Sequence, residues 1–193
     1  MITTRYANPR FLANHMDVTA ACDLFVVPTL TFNLLYGFVV LSHDRRRILH
    51  MNVTANPTAK WTGQQLIEAF PYDSKPRYLL RDNDDIYGWE FQRCLDALGI
   101  DEVTSAPKSP WRNPYVERVI GTIRRECLDH IIPVNERHML RVLREFIAYY
   151  NGSRAHQSLD GNAPEPREVA SIGDVAATPV LGGLHHRYSR VAA

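Results

Sequence analysis

At 193 residues and 45% hydrophobic content, the chain can bury one sizeable core, which excludes a wholly disordered or fibrous protein. Its 22 basic and 21 acidic residues leave a net charge of +1, so contact with a polyanion has to come from local clusters. The longest apolar run, near Leu34–Leu41, is strand-sized and far short of the roughly 20 residues that span a bilayer, which excludes an ordinary membrane protein.

In chain order, VTAACDLFVVPT from Val18 to Thr29 is β-rich and apolar, broken only by Asp23. LLYGFVVLSHD and RRILHMNVT follow as a second and third strand, and the short connections predict an antiparallel meander. The DRRR run at 44–47 reads as a solvated hairpin turn. Asn56 and Pro57 open a helix, PTAKWTGQQLIEAF, with Asn56 as its cap and an apolar side of Trp61, Leu66, Ile67 and Phe70. PRYLLRD is a short buried strand; Asp84 and Asp85 stand where a cap is wanted for YGWEFQRCLDALG, which Gly99 ends.

IDEVTS reads as a further strand and APKSPWRNP as a loop. Two helices follow, PYVERVIGTIRRECLDH and the amphipathic NERHMLRVLREFIAYYN. After Asn151 the periodicity decays into a Gly- and His-containing tail. The order β-β-β-α-β-α-β-α-α predicts an α/β fold, a mixed five-stranded sheet flanked by helices, which is the ribonuclease H-like order. Residues 1–16 form an N-terminal extension, 17–152 the core and 153–193 a C-terminal extension. Three scattered cysteines without a C-x-x-C pair and no hydrophobic leader predict a reduced, cytoplasmic setting.

An acidic residue inside an apolar strand is costly without a partner. Asp23 sits in such a strand, Asp82 at the end of another, and Glu117 in the first turn of a helix. If the three converge, they repel one another unless a hard divalent cation lies among them, and such a site supports two-metal phosphoryl transfer. Each also has a structural reading: Glu117 favours the helix dipole, an Asp of the 82–85 cluster caps a helix, and Asp23 is held by an arginine.

The combination resembles the Asp-Asp-Glu pattern of retroviral-type integrase and insertion-sequence transposase catalytic cores. The strings that carry it are ACDLFVVPT, YLLRDNDDIYG, SPWRNPYVERVIGTIRRECLDH and YYNGSRAHQSLDGNAPEPR. The resemblance covers about residues 10–170 and extends through the GGLHHRY tail. It implies Asp23, Asp82 and Glu117 as catalytic, metal-binding carboxylates, with Asp82 preferred over Asp84 and Asp85 on spacing. It also implies Mg²⁺ or Mn²⁺, as two ions, and Arg124 as a basic residue facing a DNA end.

Helical geometry adds to this. Val116, Ile120, Ile123 and Cys127 make an apolar face, while Glu117, Gly121, Arg124 and Leu128 form the next stripe, with Gly121 leaving room for a phosphate backbone. Arg118 and Arg125 line a further stripe as DNA contacts or as a solvated face. Lys108 and Arg112, around Trp111, serve either as a DNA-holding loop or, through the tryptophan, as a lid on the core. Arg154 and His156 look like an R-x-H of the family, structural or DNA-facing; neighbouring His185 and His186 diverge too far for a metal site.

The implied activity is Mg²⁺-dependent DNA strand cleavage followed by strand transfer, in transposition or DNA integration. The implied partners are element-end and target DNA and a homodimer or larger assembly on DNA. Only 22 residues precede Asp23, too few for a helix-turn-helix, so a separate protein or a missing N-terminal region would recognise the ends. A bacterial, nucleoid-associated setting goes with this. The alternatives are a nuclease that cuts without joining and an inactive relic or DNA-binding assembly protein.

Overall fold

The computed structural model describes residues 5–6, 14–71, 74–82, 84–104, 113–168 and 170–191. Strand β1 (Arg5–Tyr6) is a two-residue edge. The predicted meander forms β2 (Thr19–Pro28), β3 (Leu34–Ser42) and β4 (Ile48–Thr54), antiparallel in sequence. Helix α1 (Ala59–Ala69), β5 (Tyr78–Arg81), α2 (Trp89–Leu98) and β6 (Asp101–Thr104) follow. The parallel pairs β2–β5 and β5–β6 require such crossover connections. The strand order is β1-β6-β5-β2-β3-β4, so β1 adds a sixth strand to the five expected.

Strand alternation sends side chains to opposite faces, and each face has its own core. Ala21, Phe25, Val39 and Leu80 pack beneath α3 (Pro114–Glu126) and α4 (Glu136–Gly152). Cys22, Phe38, Val40 and Leu79 pack against Leu66 of α1 and Phe91 and Leu95 of α2. The apolar face expected on α3 is the one buried, with Val116, Ile123 and Cys127 almost fully enclosed. By this alternation Asp23 shares the α3 face with Ala21 and Phe25.

Three helix starts and stops are instructive. Thr58, not Asn56, caps α1, its hydroxyl accepting the Trp61 amide at 3.2 Å. Gly88 occupies the cap position of α2, so neither Asp84 nor Asp85 caps it; Asp84 Oδ1 instead accepts from the Ile86 amide at 3.2 Å in the preceding turn. Gly99 ends α2 at a φ of 66°, as its permissive backbone allows.

The tail is more ordered than its sequence suggests. Strands β7 (Asp174–Val180) and β8 (His185–Val191) form a separate antiparallel hairpin, turned through Gly182 and Gly183 at positive φ. His185 stacks on Tyr149 of α4 with ring centroids 4.5 Å apart, and its Nε2 lies 2.7 Å from the Glu126 carbonyl. The DRRR turn is not simply solvated: Arg45 donates to the carbonyls of Pro164 and Ala163 at 2.6 and 3.1 Å, and Arg47 pairs with Glu165 at 3.9 Å. No helix among the described residues is long and apolar enough to cross a membrane.

Candidate active site

Register brings the two aspartates together. Strand β5 runs beside β2 with Thr19 against Tyr78, Ala20 against Leu79 and Ala21 against Leu80. Continued by two residues, that register sets Asp82 beside Asp23 where β5 leaves the sheet. Helix α3 supplies Glu117 from above the same face. Its start is fastened to β2 by Asn113, whose side-chain amide donates to the Cys22 carbonyl at 3.4 Å instead of capping the helix. Its far end is fastened by Arg124, which donates to the Val26 carbonyl at 3.1 Å.

The charges register this proximity. Burial pushes the Asp23 carboxyl up to about 7, opposed by the Leu24 amide donating to it at 2.7 Å and reinforced by repulsion from Asp82, Glu117 and Asp84. Burial also raises the Glu117 carboxyl, and Asp82 raises it further. A cation placed among these acids would favour their ionised forms and offset both the burial and the repulsion.

The donor set, all carboxylate oxygen, suits a hard dication rather than zinc or copper. Among the described residues, however, no three His, Cys, Asp or Glu side chains stand close enough to hold one metal ion. The three acids are within electrostatic reach but not closed into a cage. Asp23, Asp82 and Glu117 would hold the ion, and doing so requires their side chains to draw together.

A second layer, not anticipated from the sequence, lies on the opposite face of the same strands. Arg81, the last residue of β5, is buried and ion-paired with Glu102 of β6. Its guanidinium lies 5.1 Å from the Tyr87 ring centroid and 5.9 Å from that of Phe91, and it donates to the Asp82 carbonyl at 2.8 Å. The Cys22 thiol and Tyr87 phenol are both pushed up by burial and by Asp23, so neither ionises near neutral pH. An arginine in the apolar string YLLRD was the available signal.

The predicted basic residues divide. Arg124 lies on the Glu117 side but is bonded to β2. Arg118 and Arg125 face away into a cleft with Arg46 and Arg154. The space over Gly121 is not open for a phosphate backbone: a Cβ there would meet Arg125 Nη1 at 3.1 Å. Leu128, expected on the same stripe, is buried. Lys108, Trp111 and Arg112 lie outside the described residues.

Residues 98–164 match the family described as Integrase core domain, a span that contains Glu117, Arg118, Arg124 and Arg125 and leaves Asp23 and Asp82 outside it. No curated protein matches the chain. Among solved structures, a chain of the simian T-cell lymphotropic virus intasome, in complex with PP2A regulatory subunit B56 gamma, is similar at a TM-score of 0.67 and 17% identity, over 89% of this chain and 66% of that one. This chain therefore spans just under two thirds of that relative.

The HTLV-2 integrase catalytic core domain in complex with magnesium is similar at a TM-score of 0.61 and 14% identity, over 77% of this chain and 93% of the other. The BIV integrase catalytic core domain gives 0.58 and 17%, over 77% and 91%. With the sheet order and the two packed faces, these likenesses show that the chain has the ribonuclease H-like fold seen in the retroviral integrase cores, and its residues 98–164 match the integrase core domain.

Proposed function

We propose that this core cleaves and joins DNA strands with the help of divalent cations held by Asp23, Asp82 and Glu117. The observation that carries the reading is that three carboxylates from three separate elements lie within electrostatic reach of one another, Asp23 being raised to about 7 by burial first and by repulsion from Asp82 and Glu117 in addition. The relatives support it: one is an intasome and another a catalytic core in complex with magnesium.

Two in-line displacements at phosphorus make up the activity. Water first breaks a phosphodiester P–O bond and frees a 3′-hydroxyl; that hydroxyl then attacks a phosphodiester of target DNA and displaces a strand end. Mg²⁺ or Mn²⁺, as two ions, supplies activation of the attacking oxygen and stabilisation of the leaving one. In this reading the chain's own part is to gather the acids: the β2–β5 pairing, which ends two residues short of Asp23 and Asp82, and the Asn113 tether of α3 support their convergence with Glu117. Arg124 exchanges its bond to β2 for the strand. Lys108 and Arg112 are further DNA contacts in this reading. The assembly on DNA is a dimer or larger, with element-end recognition supplied by another region or protein.

A labelled duplex incubated with Mg²⁺ or Mn²⁺ tests the proposal. Asp82→Asn and Glu117→Gln are expected to lower nicking by at least about a hundredfold; undiminished nicking overturns the assignment. Covalent attachment of labelled ends to a second duplex separates strand transfer from cutting alone. The open arrangement of the three acids favours a second reading, a DNA-binding assembly protein without catalysis, which predicts DNA binding with no metal-dependent product.

A further inference from the structure

Where α3, the β3–β4 turn and the segment after α4 meet, a cleft of about 280 Å³ is lined by Arg46, Arg118, Arg125, Arg154 and His156. None of Asp23, Asp82 and Glu117 lines it, and neither does any other carboxylate among the described residues. Arg154 is neutralised by Glu126, which accepts from its Nε and Nη2 at 2.7 and 2.6 Å. The other three guanidiniums have no carboxylate within ion-pair distance among the described residues. Gathering unpaired cations in one recess costs Coulomb energy unless an anion joins them.

The recess is built rather than incidental. Arg46 sits at a φ of 58°, a left-handed conformation uncommon outside glycine and costly to hold. Its guanidinium is fixed over the Tyr115 ring at 4.9 Å and donates to the Ser158 hydroxyl. His156 is 7% exposed. Its Nδ1 lies 3.4 Å from Arg154 Nη1, which can only donate, so Nδ1 accepts and the ring proton resides on Nε2. Its Nε2 is buried and makes no close hydrogen bond among the described residues, the Tyr150 carbonyl being the acceptor that acts on the ring. An anion in the cleft would pair the three arginines and offer the ring an additional acceptor.

We infer that this cleft binds a phosphate group, and that its occupant is a backbone phosphodiester of the DNA on which the core acts. Planar guanidiniums that fork onto paired oxygens suit phosphate, and His156 lines the same cleft. The choice of DNA rests on the function proposed above; the anion chemistry does not.

The experiment uses the full chain without divalent metal, titrated with inorganic phosphate at constant ionic strength, while the His156 imidazole resonance (assigned with His156→Gln) is followed. A saturable shift is expected, weakened at least about tenfold in Arg118→Gln/Arg125→Gln, whose side chains are exposed and whose melting temperature should be unchanged. Arg46→Gln is the second variant and should weaken it likewise. A short duplex should then displace the phosphate. No saturable response at His156, or no effect of either variant, overturns the site; saturable phosphate that duplex fails to displace overturns the DNA occupant. Repeating the titration in Asp82→Asn keeps the two proposals apart, because phosphate binding there survives even if the carboxylate reading fails.

Discussion

The side-chain amide of Asn113 donates to the main-chain carbonyl of Cys22 at 3.4 Å, 91 positions away in the chain. This bond lies one residue before Asp23 on β2 and one helical turn before Glu117 on α3, so it sets how the two acids face. Asn113→Ala removes the bond and should cost about 0.5–1.5 kcal/mol of stability, read from the urea midpoint. Metal-dependent nicking should fall by more than that loss explains at temperatures where the variant is folded. A variant destabilised to this degree with full nicking would show that the tether does not position Glu117.

Asp23 makes the metal-free protein sensitive to pH. Folded, its carboxyl keeps a proton to about pH 7; unfolded, it reverts to its ordinary value near 3.8. Between those values the native state binds more protons than the unfolded one, so Asp23 lowers stability as pH rises. Buried His43 works oppositely: burial and Arg46 hold it down at about 4, the unfolded state binds more protons, and stability rises with pH toward 6.5.

The two contributions mask each other in the wild type, and the difference between Asp23→Asn and wild type isolates the first. That difference should be small at pH 4, grow in favour of the variant up to about pH 7, and level off above it. Melting temperatures across that range without divalent ions measure it; a difference independent of pH would mean that Asp23 is not held above its ordinary value.

What could be read from the sequence follows from where the information is stored. The strands and helices around the candidate site are legible because their apolar periodicity is local, and Asp23 and Asp82 stand out as candidates because an acid in an apolar strand is conspicuous. The β7–β8 hairpin was not, since nearly every residue of both strands is at least partly exposed and no alternation marks it. The DRRR run looks solvated in the sequence because its partners, Ala163, Pro164 and Glu165, are more than a hundred positions away. The stripe along α3 was drawn correctly on its buried side, but spacing alone does not show that the Arg125 side chain folds back over Gly121.

Arg81 separates stability from positioning. Its side chain is 10% exposed and that of Glu102 12%, so Arg81→Met strands a buried carboxylate and should cost about 3–5 kcal/mol. The double variant Arg81→Met/Glu102→Met should recover most of that in urea unfolding, because an apolar pair of similar volume replaces the ions. Arg81 also holds the Asp82 carbonyl. Nicking should therefore stay depressed in the stable double variant; full recovery would reduce Arg81 to a structural role.

Gly37 is the place where the sheet tolerates no side chain. It faces Phe25 across the β2–β3 pair, and a Cβ there would lie 2.4 Å from the ring's Cζ, well inside contact distance. Phe25 is 3% exposed in the core beneath α3, so the ring has little free space to move into. Gly37→Ala should destabilise the fold by about 1–3 kcal/mol through overpacking, although alanine suits a strand backbone better than glycine does. Phe25→Leu in the same chain removes the ring and should restore part of the loss, so that the two substitutions are markedly non-additive. Urea unfolding of the single and double variants measures the coupling, and simple additivity would mean that the ring and the glycine do not share this space.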